Sequence, residues 1–143
     1  MQQTGMDPRI LLIEDAEPDV FLVREALRQA GISGELTVLD DGEKAVDFID
    51  RLDRDSNFLC PNVVLLDLNL PKRSGDQILE HMRRSRRCRD VPVIIVTSSD
   101  SPKDRAQTAK LGATLYFRKP SRLDEFMALG PLVRGVLGEE AKS

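Results

Sequence analysis

No stretch of this sequence stays apolar for the ~20 residues that a bilayer demands, so no membrane-spanning helix is expected. Nor does the amino terminus, Met1 to Met6, join a basic region to an apolar one, so no secretory signal is expected. Only two cysteines occur, Cys60 and Cys88, and they match no metal-ligand spacing. Reduced thiols in a cytoplasmic protein are the expectation. An excess of one charge is missing too. The 21 Lys and Arg face 24 Asp and Glu, and a net charge of −3 argues neither for nucleic acid nor for a membrane surface. There is one histidine, His81, and a lone helical histidine is ordinarily a surface or packing residue rather than a phosphorelay group.

What is present is enough for one domain with a sizeable core: 143 residues, 41% hydrophobic and 31% charged. Buried strands of a parallel sheet read as short continuous apolar runs. Such runs occur at Arg9–Ile13, Leu36–Leu39, Val63–Leu66, Val91–Val96 and Ala113–Phe117. Between them lie segments with helical periodicity. Pro18 suits a first helical turn ahead of Val20, Val23, Ala26 and Leu27, and Asp41-Gly42 opens a helix carrying Ala45, Val46, Ile49 and Leu52. Ser74 and Gln77 have capping-box spacing, Ser101-Pro102 gives a cap and a first-turn proline, and Ser121 with Asp124 has capping spacing for the last helix. Pro131 should kink or split that helix by removing an amide. Five strands alternating with five helices predict βαβ units, a doubly wound parallel sheet and helices on both faces. The loose parts are expected at residues 1–8 and 138–143, with one domain over 9–137.

Several strands end at a residue with chemistry. Glu14 and Asp15 follow the first, Asp67 the third, Thr97 the fourth and Lys119 the fifth. In a right-handed doubly wound sheet these ends share one edge, where such folds bind ligands. Three carboxylates there repel one another unless a cation joins them, and an all-oxygen site suits Mg²⁺ better than zinc. With that charge screened, one carboxylate can act as a nucleophile towards phosphorus, while Lys119 and Thr97 share the phosphoryl oxygens. Each residue has a plainer reading. An acidic pair after a strand can be a capping turn, Thr97 can cap, and Lys-Pro is a common strand exit. Asp67 is harder to dismiss, because a charge adjoining a buried apolar strand is costly without a partner. The basic run Arg83, Arg84, Arg86, Arg87 and Arg89 suggests a nucleic-acid patch. Yet cations also suit a helix carboxyl end, and no aromatic residues interleave these for base stacking, so a solvated face or an acidic partner is preferred.

Glu14-Asp15, Asp67 with Asn69-Leu70-Pro71 and Gly75, Thr97-Ser98, Tyr116 and Lys119-Pro120 together resemble the receiver domain of bacterial two-component response regulators. The resemblance spans residues 9 to about 137. It implies a flavodoxin-like sheet ordered 2-1-3-4-5, with Asp67 accepting a phosphoryl group from a sensor histidine kinase or a phosphotransfer protein. It also implies Mg²⁺ held by Glu14, Asp15, Asp67 and the Asn69 main-chain carbonyl. Lys119 would pair with the phosphoryl group, through a Lys119–Pro120 bond expected to be cis. Thr97 and Tyr116 would carry the switch towards a partner surface over residues 102–137. No output domain follows the last helix in this sequence, so a single-domain regulator that signals by docking is expected. The Asp67-to-Pro71 wording resembles regulators paired with bacterial phytochromes, which implies a homodimer through the last strand and helix, with no nucleic-acid or membrane partner. Two other functions stay open: a metal-dependent phosphohydrolase, and a constitutive adaptor on a degenerate receiver fold. Asn69 stands where such hydrolases carry a general acid, so self-dephosphorylation should be slow.

Overall fold

The computed structural model describes residues 7–142, with side chains described as far as Gly138. Most of the stretch expected to be loose at the amino end lies outside the described residues. Five parallel strands form one sheet in the order β2-β1-β3-β4-β5. They are β1 (Arg9–Ile13), β2 (Glu35–Leu39), β3 (Val63–Leu66), β4 (Val93–Thr97) and β5 (Leu115–Arg118). This is the order that the resemblance implies, and the parallel pairing follows from the alternation of elements, because each helix must cross back over the sheet before the next strand.

The helices are α1 (Glu17–Gln29), α2 (Gly42–Arg54), α3 (Gly75–Arg83), α4 (Pro102–Lys110), α5 (Leu123–Phe126) and α6 (Leu129–Lys142). Side chains alternate across a strand, so each of the three central strands feeds two cores. Leu11, Ile13, Val64, Leu66 and Ile95 meet Ile49, Ile78 and Leu79 on the α2–α3 face. Leu12, Val63, Leu65, Ile94 and Val96 meet Val23, Phe126 and Val133 on the α1–α6 face. Both faces of the central strands are therefore covered, which is why their sequences are continuously apolar.

The expected last helix is split into α5 and α6, and the physical reason is Pro131. Its ring would meet the carbonyl of Met127 in a continuous helix, so the chain restarts at Leu129 and places Pro131 in a first turn. Gly130 lies so close to the Ala26 carbonyl of α1 that a Cβ there would collide with it. The start of α5 differs from expectation. Arg122, not Ser121, is the capping residue, and no side chain caps the helix. Asp124 instead pairs with Arg122 at 3.2 Å. At the other end, α6 continues to Lys142, past the point where a loose tail was expected. The capping box of Ser74 and Gln77 and the cap at Ser101 form as the spacing predicts.

Two further expectations are overturned. The described residues contain no cis peptide bond, so Lys119–Pro120 is trans, the isomer that even X–Pro bonds prefer. Cys60 and Cys88 are not free thiols: they form a disulfide, with Cα atoms 5.8 Å apart and the two positions 28 apart in sequence. The fold brings them together because Cys60 precedes β3 and Cys88 follows α3, and the β3–α3 unit returns the chain to the amino end of the sheet. No short-range sequence spacing encodes that return.

The basic run is also built into this end of the molecule. Arg83 donates to the carbonyls of Arg89, Val91 and Gly112 at 2.7–2.9 Å. Arg86 donates to the Asp53 carbonyl at 2.6 Å, and Arg87 to the Asp55 carbonyl at 3.0 Å. Asp53 in turn accepts from the Ser85 hydroxyl at 2.7 Å and the Arg87 amide at 3.0 Å. These guanidinium groups brace loop carbonyls at the ends of α2 and α3. His81 is likewise taken up structurally, 2.7 Å from Asp50 on α2.

The disulfide closes a loop that contains β3 and α3, and a cross-link of that span restricts the unfolded chain by about 3 kcal/mol. Intact mass after alkylation without reductant should therefore show no free thiol. Reduction with dithiothreitol should lower the unfolding free energy by about 3 kcal/mol in urea titration. Two alkylated thiols in the unreduced, air-exposed protein would contradict this.

Candidate functional site

The sheet ladder carries the site residues past the ends of the strands. Ile13 pairs with Leu66, and the Asp67 amide donates to the Ile13 carbonyl at 3.1 Å, which sets Asp67 beside Glu14. Thr97 pairs with Arg118, and the Lys119 amide donates to the Thr97 carbonyl at 2.7 Å. With Leu66 paired to Ile95, the ladder puts Glu14 level with Asp67, Thr97 one residue beyond it and Lys119 two. Gly75, at the start of α3, packs against the Asp67 carbonyl and the Leu68 main chain, where a Cβ would collide. Its amide donates to the Leu68 carbonyl at 3.0 Å and closes the turn that carries Asp67.

Glu14, Asp15 and Asp67 each offer a carboxylate oxygen, and these oxygens lie within 4.8 Å of one another. Glu14 and Asp67 are buried, while Asp15 is exposed beside them. The Lys119 ammonium reaches into this group. It donates to Glu14 Oε1 at 2.8 Å, to Asp19 Oδ2 at 2.7 Å and to Asp67 Oδ2 at 3.3 Å. A lysine has three donors, so this ammonium is fully used. Asn69 contributes its main-chain amide, which donates to Asp67 Oδ1 at 3.4 Å. Beside Glu14 and Asp15, an open cleft of about 640 Å³ extends to Val38, Asp40 and Lys44.

Burial and the local charges together set how Glu14 and Lys119 titrate. One ammonium faces three carboxylates, with Asp15 adjoining, so negative charge is in surplus. Burial pushes the Glu14 carboxyl up to about 7, helped by the charge of Asp67 and only partly offset by its hydrogen bond from Lys119. Burial would by itself pull the Lys119 ammonium down. The hydrogen bonds to Asp19 and Glu14, with the charge of Asp67, outweigh that and hold it above its ordinary range. The surplus charge, together with all-oxygen donors and an exposed third carboxylate, fits a hard divalent cation with room for water.

Thr97 ends β4, one strand along from Asp67, and Tyr116 lies on β5 beyond it. Thr97 is fully buried, and its hydroxyl accepts from the Ser99 amide at 3.5 Å. The Tyr116 hydroxyl donates to the Ser99 carbonyl at 3.0 Å, and the Arg105 guanidinium of α4 lies 4.3 Å from the Tyr116 ring centre. Both expected switch residues therefore meet at the β4–α4 loop. Asp19 was not anticipated. It sits in the first turn of α1 rather than at a strand end, and only the tertiary approach of α1 to Lys119 reveals it.

A doubly wound sheet with an acid cluster and a lysine at its carboxyl edge is an α/β domain whose charged groups gather where such sheets bind ligands. The family model of the response regulator receiver domain matches residues 10–129, and the chain belongs to that family. It is 34% identical to the response regulator Rcp1 of Synechocystis sp. over 89% of this chain and 84% of Rcp1. The crystal structure of Mn²⁺-bound Rcp1 superposes with a TM-score of 0.79 at 31% identity, covering 89% of this chain and 91% of that one. The bacteriophytochrome response regulator RtBRR gives a TM-score of 0.74 at 36% identity, over 93% of this chain and 79% of its own. The chain is thus a response-regulator receiver, a signalling domain similar to phytochrome-associated regulators.

Glu14 binds a proton in the folded, metal-free protein that it releases on unfolding between about pH 4.5 and 7. Its contribution to stability is therefore present at low pH and is lost as pH rises through about 7. Metal-free protein should lose about 3 kcal/mol across that window, and Glu14→Gln should flatten the profile. Denaturant midpoints measured from pH 5 to 8 check this. A rise in stability attributable to Glu14 over that range would contradict the assignment.

Proposed function

We propose that Asp67 is the phosphoacceptor of a two-component switch. The observation that carries this reading is the Lys119 ammonium, held 3.3 Å from Asp67 Oδ2 within the acid cluster. A sensor histidine kinase or phosphotransfer protein supplies the donor. An Asp67 oxygen attacks phosphorus, the phosphorus–nitrogen bond to the donor imidazole breaks, and the imidazole leaves. Lys119 then follows the transferred group and pairs with its oxygens, while the Thr97 hydroxyl approaches from β4. Glu14, Asp15, Asp67 and the Asn69 carbonyl are the ligands for Mg²⁺, which would neutralise the surplus charge and polarise the phosphoryl group. Rcp1, the relative solved with Mn²⁺, supports a divalent ion in this setting.

The output is a change in protein docking, in the cytoplasm where histidine kinases expose their phosphohistidine. A dianionic group on Asp67 biases the Thr97–Ser99 segment, and Tyr116 with it, towards a second arrangement. Asn69 cannot serve as a general acid, so the domain holds its phosphoryl group and does not turn over phosphate esters as an enzyme. Likeness to RtBRR supports a bacterial phytochrome as the kinase. Leu115 at the β5 edge and Leu132 on α6 are both exposed apolar residues, which suits a homodimer through the last strand and helix.

With Mg²⁺ and acetyl phosphate, intact mass should show one labile phosphoryl adduct, absent in Asp67→Asn. Lys119→Ala should slow its formation by about tenfold or more. No adduct, or rapid multiple turnover of a phosphate ester, would sink the switch reading in favour of an adaptor or a hydrolase. Light scattering should find a dimer that Leu115→Glu with Leu132→Glu converts to monomer. A dimer unaffected by both changes places the interface elsewhere.

A further inference from the structure

Asp19 is the partner of Lys119 that the acid cluster does not contain. Its Oδ2 accepts from the ammonium at 2.7 Å, the shortest of the three contacts. Glu14 and Asp67 share their oxygens with Asp15, and Asp19 is not among that group. It stands in the first turn of α1, where its amide donates to the Ala16 carbonyl at 3.0 Å and the helix amino end favours a carboxylate. The anchorage of this carboxylate therefore comes from α1 and is independent of events at Asp67. Its side chain is 29% exposed, against 7% for Asp67 and 11% for Lys119, so it lies at the mouth of the site rather than inside it.

We propose that Asp19 is a positioning residue for phosphoryl transfer, holding the Lys119 ammonium at the mouth so that it can exchange Asp67 for the incoming phosphoryl oxygens. This rests on the reading of Asp67 as acceptor and Lys119 as counter-ion. Lys119 has three donors, and in the resting protein Glu14, Asp19 and Asp67 use them all. When Asp67 gains a phosphoryl group, the Asp67 contact is the one that must be exchanged. Asp19 keeps the long, rotatable lysine side chain from following Asp67 and Glu14 inward. Without it the ammonium settles on those two carboxylates, engages the oxygen that must attack phosphorus, and leaves the approach path of the donor.

The test is phosphorylation of the full chain by acetyl phosphate with Mg²⁺, followed by intact mass and by mapping of the modified residue. Asp19→Ala should lower the maximal rate about tenfold while the half-saturating donor concentration stays within about twofold. Asp19→Asn, which keeps an accepting oxygen, should return the rate to within about threefold of the native protein. A merely structural role would lower thermal stability without splitting the kinetics this way. Asp19→Ser, too short to reach Lys119, substitutes for the alanine variant should that one fail to fold. A native rate in Asp19→Ala, or equal loss in the Asn and Ala variants, would overturn the positioning role. If the native protein takes a phosphoryl group on Asp67 and Asp19→Ala matches it, this inference alone falls. If the native protein takes none, the acceptor reading falls and this inference with it.

Discussion

The ammonium of Lys119 is the one group on which the carboxyl edge of the sheet depends. Glu14 and Asp67 are removed from water at the ends of two apolar strands, and their repulsion would be severe without a cation between them. Lys119 supplies one from a third strand and reaches 2.8 Å and 3.3 Å from the two. It neutralises only part of the charge it faces. Burial, aided by the charge of Asp67, pushes the Glu14 carboxyl up, and the surplus charge makes the pocket receptive to a divalent ion. Readiness for chemistry and incomplete charge balance are here the same property.

The opposite end of the molecule has a different task. There the Cys60–Cys88 disulfide and the guanidinium groups of Arg83, Arg86 and Arg87 tie the ends of α2, β3 and α3 together. Each arginine satisfies carbonyls that would otherwise face water or bury unpaired. β3 is thus fixed at its start by covalent and polar braces, along its length by two apolar cores, and at its end by the Gly75 turn. A strand so held presents Asp67 in one place. Pre-organisation of this kind matters for phosphoryl transfer, which depends on position and charge more than on covalent catalysis.

Most of this architecture was legible in the sequence because it follows from local patterns. Val63 to Leu66 announce a buried strand, Ser74 and Gln77 a helix start, and Pro131 a break, each through residues within a few positions of one another. The strand ends could then be placed on one edge by topology alone, which brought Glu14, Asp15, Asp67, Thr97 and Lys119 together. What escaped was long-range and non-periodic. Asp19 joins the site only because α1 packs where Lys119 can reach it, 100 residues away in sequence. The disulfide and the arginine braces depend on where loops return, and a run such as Arg83 to Arg89 reads the same on a nucleic-acid surface as over a set of carbonyls.

If Asp67 is the acceptor, as proposed, the same geometry offers a signal a route out of the site. Lys119 is joined to Thr97 through the main chain, Thr97 to the Ser99 amide, and the Ser99 carbonyl to Tyr116. Ser99 also donates to Asp104 of α4 at 2.5 Å, and Arg105 covers the Tyr116 ring. Of the nine residues of α4 only Thr108 is buried, so apolar packing ties this helix down far less than it does α2 or α3. An element held by a few polar contacts is the one that shifts most readily when those contacts are rearranged. Change at Lys119 and Thr97 therefore meets stiff structure towards β3 and a loosely held helix towards α4. The path of least resistance runs outward through Ser99, to the surface formed by α4 and β5.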